Sequence, residues 1–170
     1  MTRPAAAMLA LLHAGAAAAA VARPATVEQL AREADAVVQG RVAGAESRWA
    51  PDGRHIVTRV TVRVSRVLRG SAGAEVTLEV PGGVVGDYGQ RVDAAPSFQP
   101  GEEAVVFLRR TAGGRTLVHG LGQGKFRVEN GEARPDVEGW AFVPEAIPAG
   151  ERRAERMPLA ELERRVRAAR

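Results

Sequence analysis

The chain has 170 residues, 45% of them hydrophobic and 26% charged, with no cysteine and a net charge of +4. The missing cysteine excludes disulfides, thiolate metal sites, cysteine nucleophiles and a lipid-modified N-terminal cysteine, so stability must come from packing. Residues 151–170 hold seven arginines against four glutamates and carry nearly all of the positive excess; the near-neutral body that remains does not read as a nucleic-acid-binding face.

Residues 1–22 read as a bacterial export signal. Arg3 gives the short positive start, residues 5–20 are almost wholly apolar, and Ala20-Val21-Ala22 fits the small-x-small cleavage rule. The run is alanine-rich and lacks a stop-transfer flank, so no stable membrane anchor is expected after cleavage. The mature protein is expected in the periplasm or outside the cell. Residues 23–150 then read as one barrel domain, and 151–170 as a C-terminal helix packed on it.

Thr26-Val27-Glu28-Gln29 has the form of a capping box and predicts a short helix to about Ala34, with Leu30 turned inward. A first strand follows over 36–42, and Gly40 inside it predicts a bulge or sharp bend. Ile56, Thr58, Val60, Val62 and Val64 share one parity and Val57, Arg59, Thr61, Arg63 and Ser65 the other, the mark of a long strand with one buried face. Pro51-Asp52-Gly53 predicts a hairpin between 36–50 and 55–66. After a turn over 68–73, Val76, Leu78 and Val80 point inward, while Glu75 and Glu79 are expected to pair with Arg59 and Arg63.

From 81 to 101 the pattern dissolves into a glycine- and proline-rich loop, which reads either as packing over an open barrel end, with Phe98 and Tyr88 buried, or as a binding element, two roles that are compatible. Ala104-Val105-Val106-Phe107-Leu108 is an unbroken apolar run, as a strand covered on both faces requires. Residues 116–119 and 125–128 read as further strands, and Asn130-Gly131 as a two-residue hairpin turn. Residues 132–150 look irregular, with Trp140 and Phe142 covering a barrel end. Pro158 starts a last helix, with Leu159, Leu162 and Val166 on one face and Glu161/Arg165 and Glu163/Arg167 as i, i+4 pairs.

These elements predict an all-β fold with two short flanking helices, an OB-like small Greek-key β-barrel. Three stretches carry a more specific likeness: Ala34-Asp35-Ala36-Val37-Val38-Gln39-Gly40-Arg41-Val42, Val64-Ser65-Arg66-Val67-Leu68-Arg69-Gly70, and residues 98–101 ahead of Glu102-Glu103-Ala104-Val105-Val106-Phe107-Leu108. Over residues 26–128 the chain resembles the netrin/metalloproteinase-inhibitor type of OB barrel. It also resembles exported bacterial proteins of unknown role that carry a PGG loop and a GQGKF segment. The inhibitors present an N-terminal cysteine to a protease's zinc. Here the mature start is Arg23-Pro24-Ala25-Thr26, so the resemblance implies the fold and not that mechanism.

His119-Gly120-Leu121-Gly122-Gln123-Gly124-Lys125-Phe126 invites a nucleotide reading that its spacing refuses. A phosphate loop needs four residues between its first glycine and Gly-Lys, then Ser or Thr; here there are three, then Phe126. A dinucleotide fingerprint needs G-x-G-x-x-G opening a helix, and here G-x-G-x-G precedes a strand. The glycines are expected instead to allow a bulged crossing close to other backbone. No cofactor, metal or catalytic residue is assigned. The favoured reading is a non-enzymatic module that binds an exported protein, such as a protease, through Asp87, Tyr88, Gln90, Arg91 and Phe98 of the 81–101 loop, with Gln123 and Lys125 of the neighbouring segment. The alternative is a cofactor-free hydrolase using His119, with Ser97 and Asp93 as conceivable partners. His55 is expected to be solvated.

Overall fold

Alternation along the long segments builds a cylinder. The computed structural model describes residues 21–138, 140–143 and 147–170. Among the described residues the elements run β1 (Val21–Ala22), α1 (Val27–Glu33), β2 (Ala36–Trp49), β3 (Ile56–Gly70), β4 (Glu75–Pro81), β5 (Gly83–Val85), β6 (Tyr88–Gln90), β7 (Glu103–Arg110) and β8 (Thr116–Val118). A 3-10 turn (Leu121–Gly124) leads into β9 (Lys125–Glu129), β10 (Glu132–Pro135), β11 (Ala141–Phe142), β12 (Met157–Pro158) and α2 (Leu159–Ala168). The expected export signal lies outside the described residues except for its last two, which form β1 and pair with β11.

The barrel strands follow the order β2-β3-β4-β8-β7 and close back onto β2. The β4–β8 contact is parallel, through Glu79 and Leu117, and the other four are antiparallel. This is a closed five-stranded barrel of OB-like form, as the alternation predicts. One edge of β7 lies along β2. The other is divided: Glu103–Val106 pairs with β9, and Leu108–Arg110 with β8. The strands β9, β10 and β12 therefore continue the barrel wall as a flap.

That division creates two apolar cores. Val38, Val42, Val60, Val62, Leu78, Val80, Ala104, Val106 and Leu108 fill the cylinder. Val37, Val105, Phe107, Phe126 and Val128 point out of its wall, where Val27 and Leu30 of α1 and Leu162 and Val166 of α2 cover them. The unbroken apolar run of β7 follows from serving both cores: Ala104, Val106 and Leu108 face in, Val105 and Phe107 out.

Local signals hold where their chemistry is strong. The α1 capping box forms, with the Gln29 N–H donating to Thr26 Oγ1 and the Thr26 N–H to Gln29 Oε1. The β2–β3 register shifts between Gln39 and Gly40. There a Cβ would stand 2.3 Å from the Arg63 carbonyl oxygen, so the bend requires glycine. Asn130 and Gly131 turn the β9–β10 hairpin with φ of 51° and 77°.

Three expectations need correction. The β3 strand does not stop at residue 66 ahead of a turn but pairs to Gly70, opposite Ala36. The 81–101 segment is not structureless, because β5 and β6 form a two-stranded ribbon inside it. The register does place Arg59 opposite Glu79, but Glu79 ion-pairs with Arg48 at 2.6 Å and Arg115 at 3.8 Å, reaching sideways rather than across.

Candidate functional site

The β5–β6 ribbon is a rigid base carrying an exposed tip. Gly82 and Gly83 have φ of 93° and 136°, which lets the chain leave β4 sharply. A Cβ on Gly83 would lie 2.2 Å from Ser47 Oγ, so the ribbon sits directly on the barrel's hydroxyl pair. Thr58 Oγ1 donates to the Gly82 carbonyl at 2.7 Å, which makes Ser47 the donor in the 2.9 Å Ser47–Thr58 contact. The Gln90 side-chain oxygen accepts from the Ile56 N–H at 2.6 Å, and the Gly82 N–H donates to the Ile56 carbonyl. Gln90 thus anchors the ribbon.

The tip is apolar and open. Tyr88 and Val84 are each 67% exposed and Trp49, at the end of β2, is 41% exposed. The Trp49 and Tyr88 rings meet edge to face with centroids 5.6 Å apart. Asp87 lies exposed in the ribbon's turn, and Arg91 is exposed just after β6. Beside the ribbon runs a cleft of about 670 Å³, with Ser47, Thr58, Val84, Arg91, Ser97 and Asp136 in its walls.

The remaining expected binding residues separate from this tip. Phe98 is 8% exposed and packs in the barrel core, so the segment both plugs the barrel end and presents a ribbon. Gln123 is buried; its side-chain oxygen accepts from the Ala25 N–H at 2.6 Å and its amide donates to the Arg23 carbonyl at 3.1 Å. It fastens the start of the expected mature chain. Lys125 is fully buried, 2.9 Å from Glu102. Asp87, Tyr88, Gln90 and Arg91 therefore share the ribbon and its root, whereas Phe98, Gln123 and Lys125 face inward.

The glycine-rich segment is a packing device. Its 3-10 turn starts from Gly120 at φ 76°. A Cβ on Gly122 would stand 1.9 Å from the Asp136 carbonyl oxygen, and one on Gly124 would stand 1.7 Å from that of His119. The Gly122 and Gln123 N–H groups donate to the Ala94 and Gly120 carbonyls, which removes them as phosphate donors.

The hydroxyl and imidazole groups have other partners than a hydrolytic triad would give them. His119 Nε2 lies 3.1 Å from Glu33 Oε2, and Ser97 Oγ donates to Asp136 Oδ2 at 2.9 Å. His55 is exposed, with Nδ1 2.6 Å from Asp52. The Arg54 N–H and the His55 ring hold the Asp52 carboxyl below its ordinary value. Among the described residues no group of three His, Asp or Glu side chains is placed to hold a metal.

Neither Trp49, which completes the exposed ring pair with Tyr88, nor Val84, exposed on the ribbon's other face beside Gly89, is singled out from the sequence. A tryptophan ending an alternating strand just before Pro51-Asp52-Gly53 is a signal for the first. The Gly86-Asp87 pair is a hairpin signal for the ribbon that carries the second. No family model matches the chain, and no curated protein matches it significantly.

Proposed function

We propose that this is an exported bacterial binding module of the netrin-like barrel type, without catalytic activity, which captures an exported protein through its β5–β6 ribbon. The observation that carries the reading is the exposed Trp49–Tyr88 ring pair on a base fixed by Gln90, Thr58 and Ser47. Aromatic side chains with few rotatable bonds, presented on a rigid support, are the anchors that dominate protein interfaces. Asp87 and Arg91 flank the ring pair as polar rim. A protease is a suitable partner class, because a stiff ribbon tip is a shape that enters a substrate groove. The metal-directed route of the metalloproteinase inhibitors has no counterpart, since it requires the missing N-terminal cysteine.

The test is capture from the native exported fraction. Wild-type protein retains a defined partner, and Tyr88→Ala with Trp49→Ala weakens that capture by about 2 kcal/mol or more for a true anchor pair. His119→Ala leaves it intact. Equal capture by wild type and the double variant would overturn the assignment of the ribbon. Hydrolytic turnover that disappears in His119→Ala would favour the enzymatic alternative.

A further inference from the structure

The chain's one lysine is its most unusually placed charge. Lys125 opens β9 with its side chain wholly buried. Its Nζ lies 2.9 Å from Glu102 Oε1, 3.6 Å from Asp136 Oδ2 and 5.1 Å from the centre of the Phe98 ring. Lys125 and Asp136 are neighbours across the β9–β10 hairpin: the Asp136 N–H donates to the Lys125 carbonyl at 3.0 Å, one step beyond the Phe126–Pro135 pair. Neither the Lys125 amine nor either Glu102 oxygen completes a well-formed hydrogen bond in this burial, although such groups ordinarily do.

Two further contacts give the cluster a direction. Asp136 Oδ2 accepts from both the Ser97 N–H, at 2.7 Å, and the Ser97 hydroxyl, at 2.9 Å. Glu102 Oε2 lies 3.2 Å from Arg127 Nε, so that carboxylate stands between two cations, Lys125 and Arg127. An amine fixed against a carboxyl group gains a very large effective concentration, and paired donors on one carboxyl oxygen stabilise the charge that develops there during attack.

We propose that Lys125 and Asp136 condense spontaneously into an intramolecular isopeptide bond, with Glu102 as proton carrier and Ser97 as the oxyanion donor. Lys125 Nζ gives a proton through Glu102 Oε1 to Asp136 Oδ1, and the free amine then attacks Cγ of the resulting carboxylic acid. The tetrahedral oxygen forms at Oδ2 under the two Ser97 donors. Glu102 relays the second proton released by the nitrogen to Oδ1, which departs as water. The bond formed is Nζ–Cγ, the bond broken is Cγ–Oδ1, and no oxidant or nucleotide is consumed. Asp136 lines two clefts among the described residues, one beside the ribbon and one bordered by Arg127, Arg134 and Arg153, so the water has an exit. The inference is independent of what the ribbon binds.

Intact-mass measurement of the purified, denatured full chain tests it, with the N-terminus fixed by sequencing. The expected mass is one water below that of the sequence, and tandem spectra of a digest should join the Lys125 and Asp136 peptides. Lys125→Arg restores the full sequence mass. Asp136→Asn gives the same cross-link with loss of ammonia in place of water, which a passive structural pair would not do. Glu102→Gln leaves most of the chain unlinked. A wild-type chain at full sequence mass would overturn the proposal, as would a cross-link from Lys125 to Glu102.

Discussion

The two cores are built on the same strands but held together differently. The cylinder interior is mostly aliphatic, drawn from alternating positions of β2, β3, β4 and β7. The outer core packs the Phe107 and Phe126 rings, 5.9 Å apart, beneath two helices. Its lid is fastened by charge. Arg165 of α2 pairs with Glu28 of α1 at 2.5 Å and with Glu161 at 2.8 Å, and Arg66 of β3 pairs with Glu163 at 2.6 Å. Glu151 accepts from Thr26 Oγ1 and from Arg32, tying the segment before α2 to the start of α1. A closed sheet satisfies its own backbone, while a helix laid on its wall depends on side chains to stay there.

The sharpest break in the comparison is Phe107→Ala. Its ring is fully buried in the outer core on a strand that the barrel also needs, so about 3–5 kcal/mol of stability should be lost in denaturant unfolding. Next come Leu78→Ala and Leu162→Ala, the same chemical change at two fully buried sites, one in each core. Each should cost about 2–5 kcal/mol. Hydrogen exchange should separate them: Leu78→Ala lowers protection throughout the barrel, whereas Leu162→Ala lowers it first in α2 and leaves β2–β4 protected.

Acid sharpens the same contrast. The Thr26 hydroxyl, then Arg32, holds the Glu151 carboxyl below its ordinary value of 4.5, and Arg165 and Arg164 do the same for Glu161. A carboxyl group lowered in the folded state contributes stability above its unfolded value and loses it as pH falls through the folded value. Limited proteolysis should therefore cut residues 151–170 as pH drops below about 4.5, before barrel strands lose their circular dichroism signal. The smallest effect belongs to Glu79→Gln on the outer barrel wall, about 0.2–1 kcal/mol, because Arg48 and Arg115 are largely solvated.

What the sequence makes legible follows the length of each signal. The β3 and β4 strands alternate over many residues, so their faces and mutual register can be read directly. The two-sided burial of β7 is legible from its unbroken apolar run. The closing β4–β8 contact is not, because it rests on one cross-strand pair between residues far apart in sequence. The ribbon is hidden because three-residue strands give too short a period to recognise, although Gly86-Asp87 marks its turn. At the candidate site, Asp87, Tyr88, Gln90 and Arg91 were legible as members of an unusual loop. Lys125 was misleading: a lone lysine after glycines looks presented to a ligand, and only the fold brings Glu102, Asp136 and Phe98 around it.

The closed barrel depends on β8 joining β4 to β7. Nuclear Overhauser contacts in the full-length protein test this directly. The closed barrel predicts backbone contacts from Leu117 to both Glu79, in parallel register, and Arg109, in antiparallel register. Contacts from Leu117 to Arg109 alone, with none to Glu79, would make the sheet open and contradict the account.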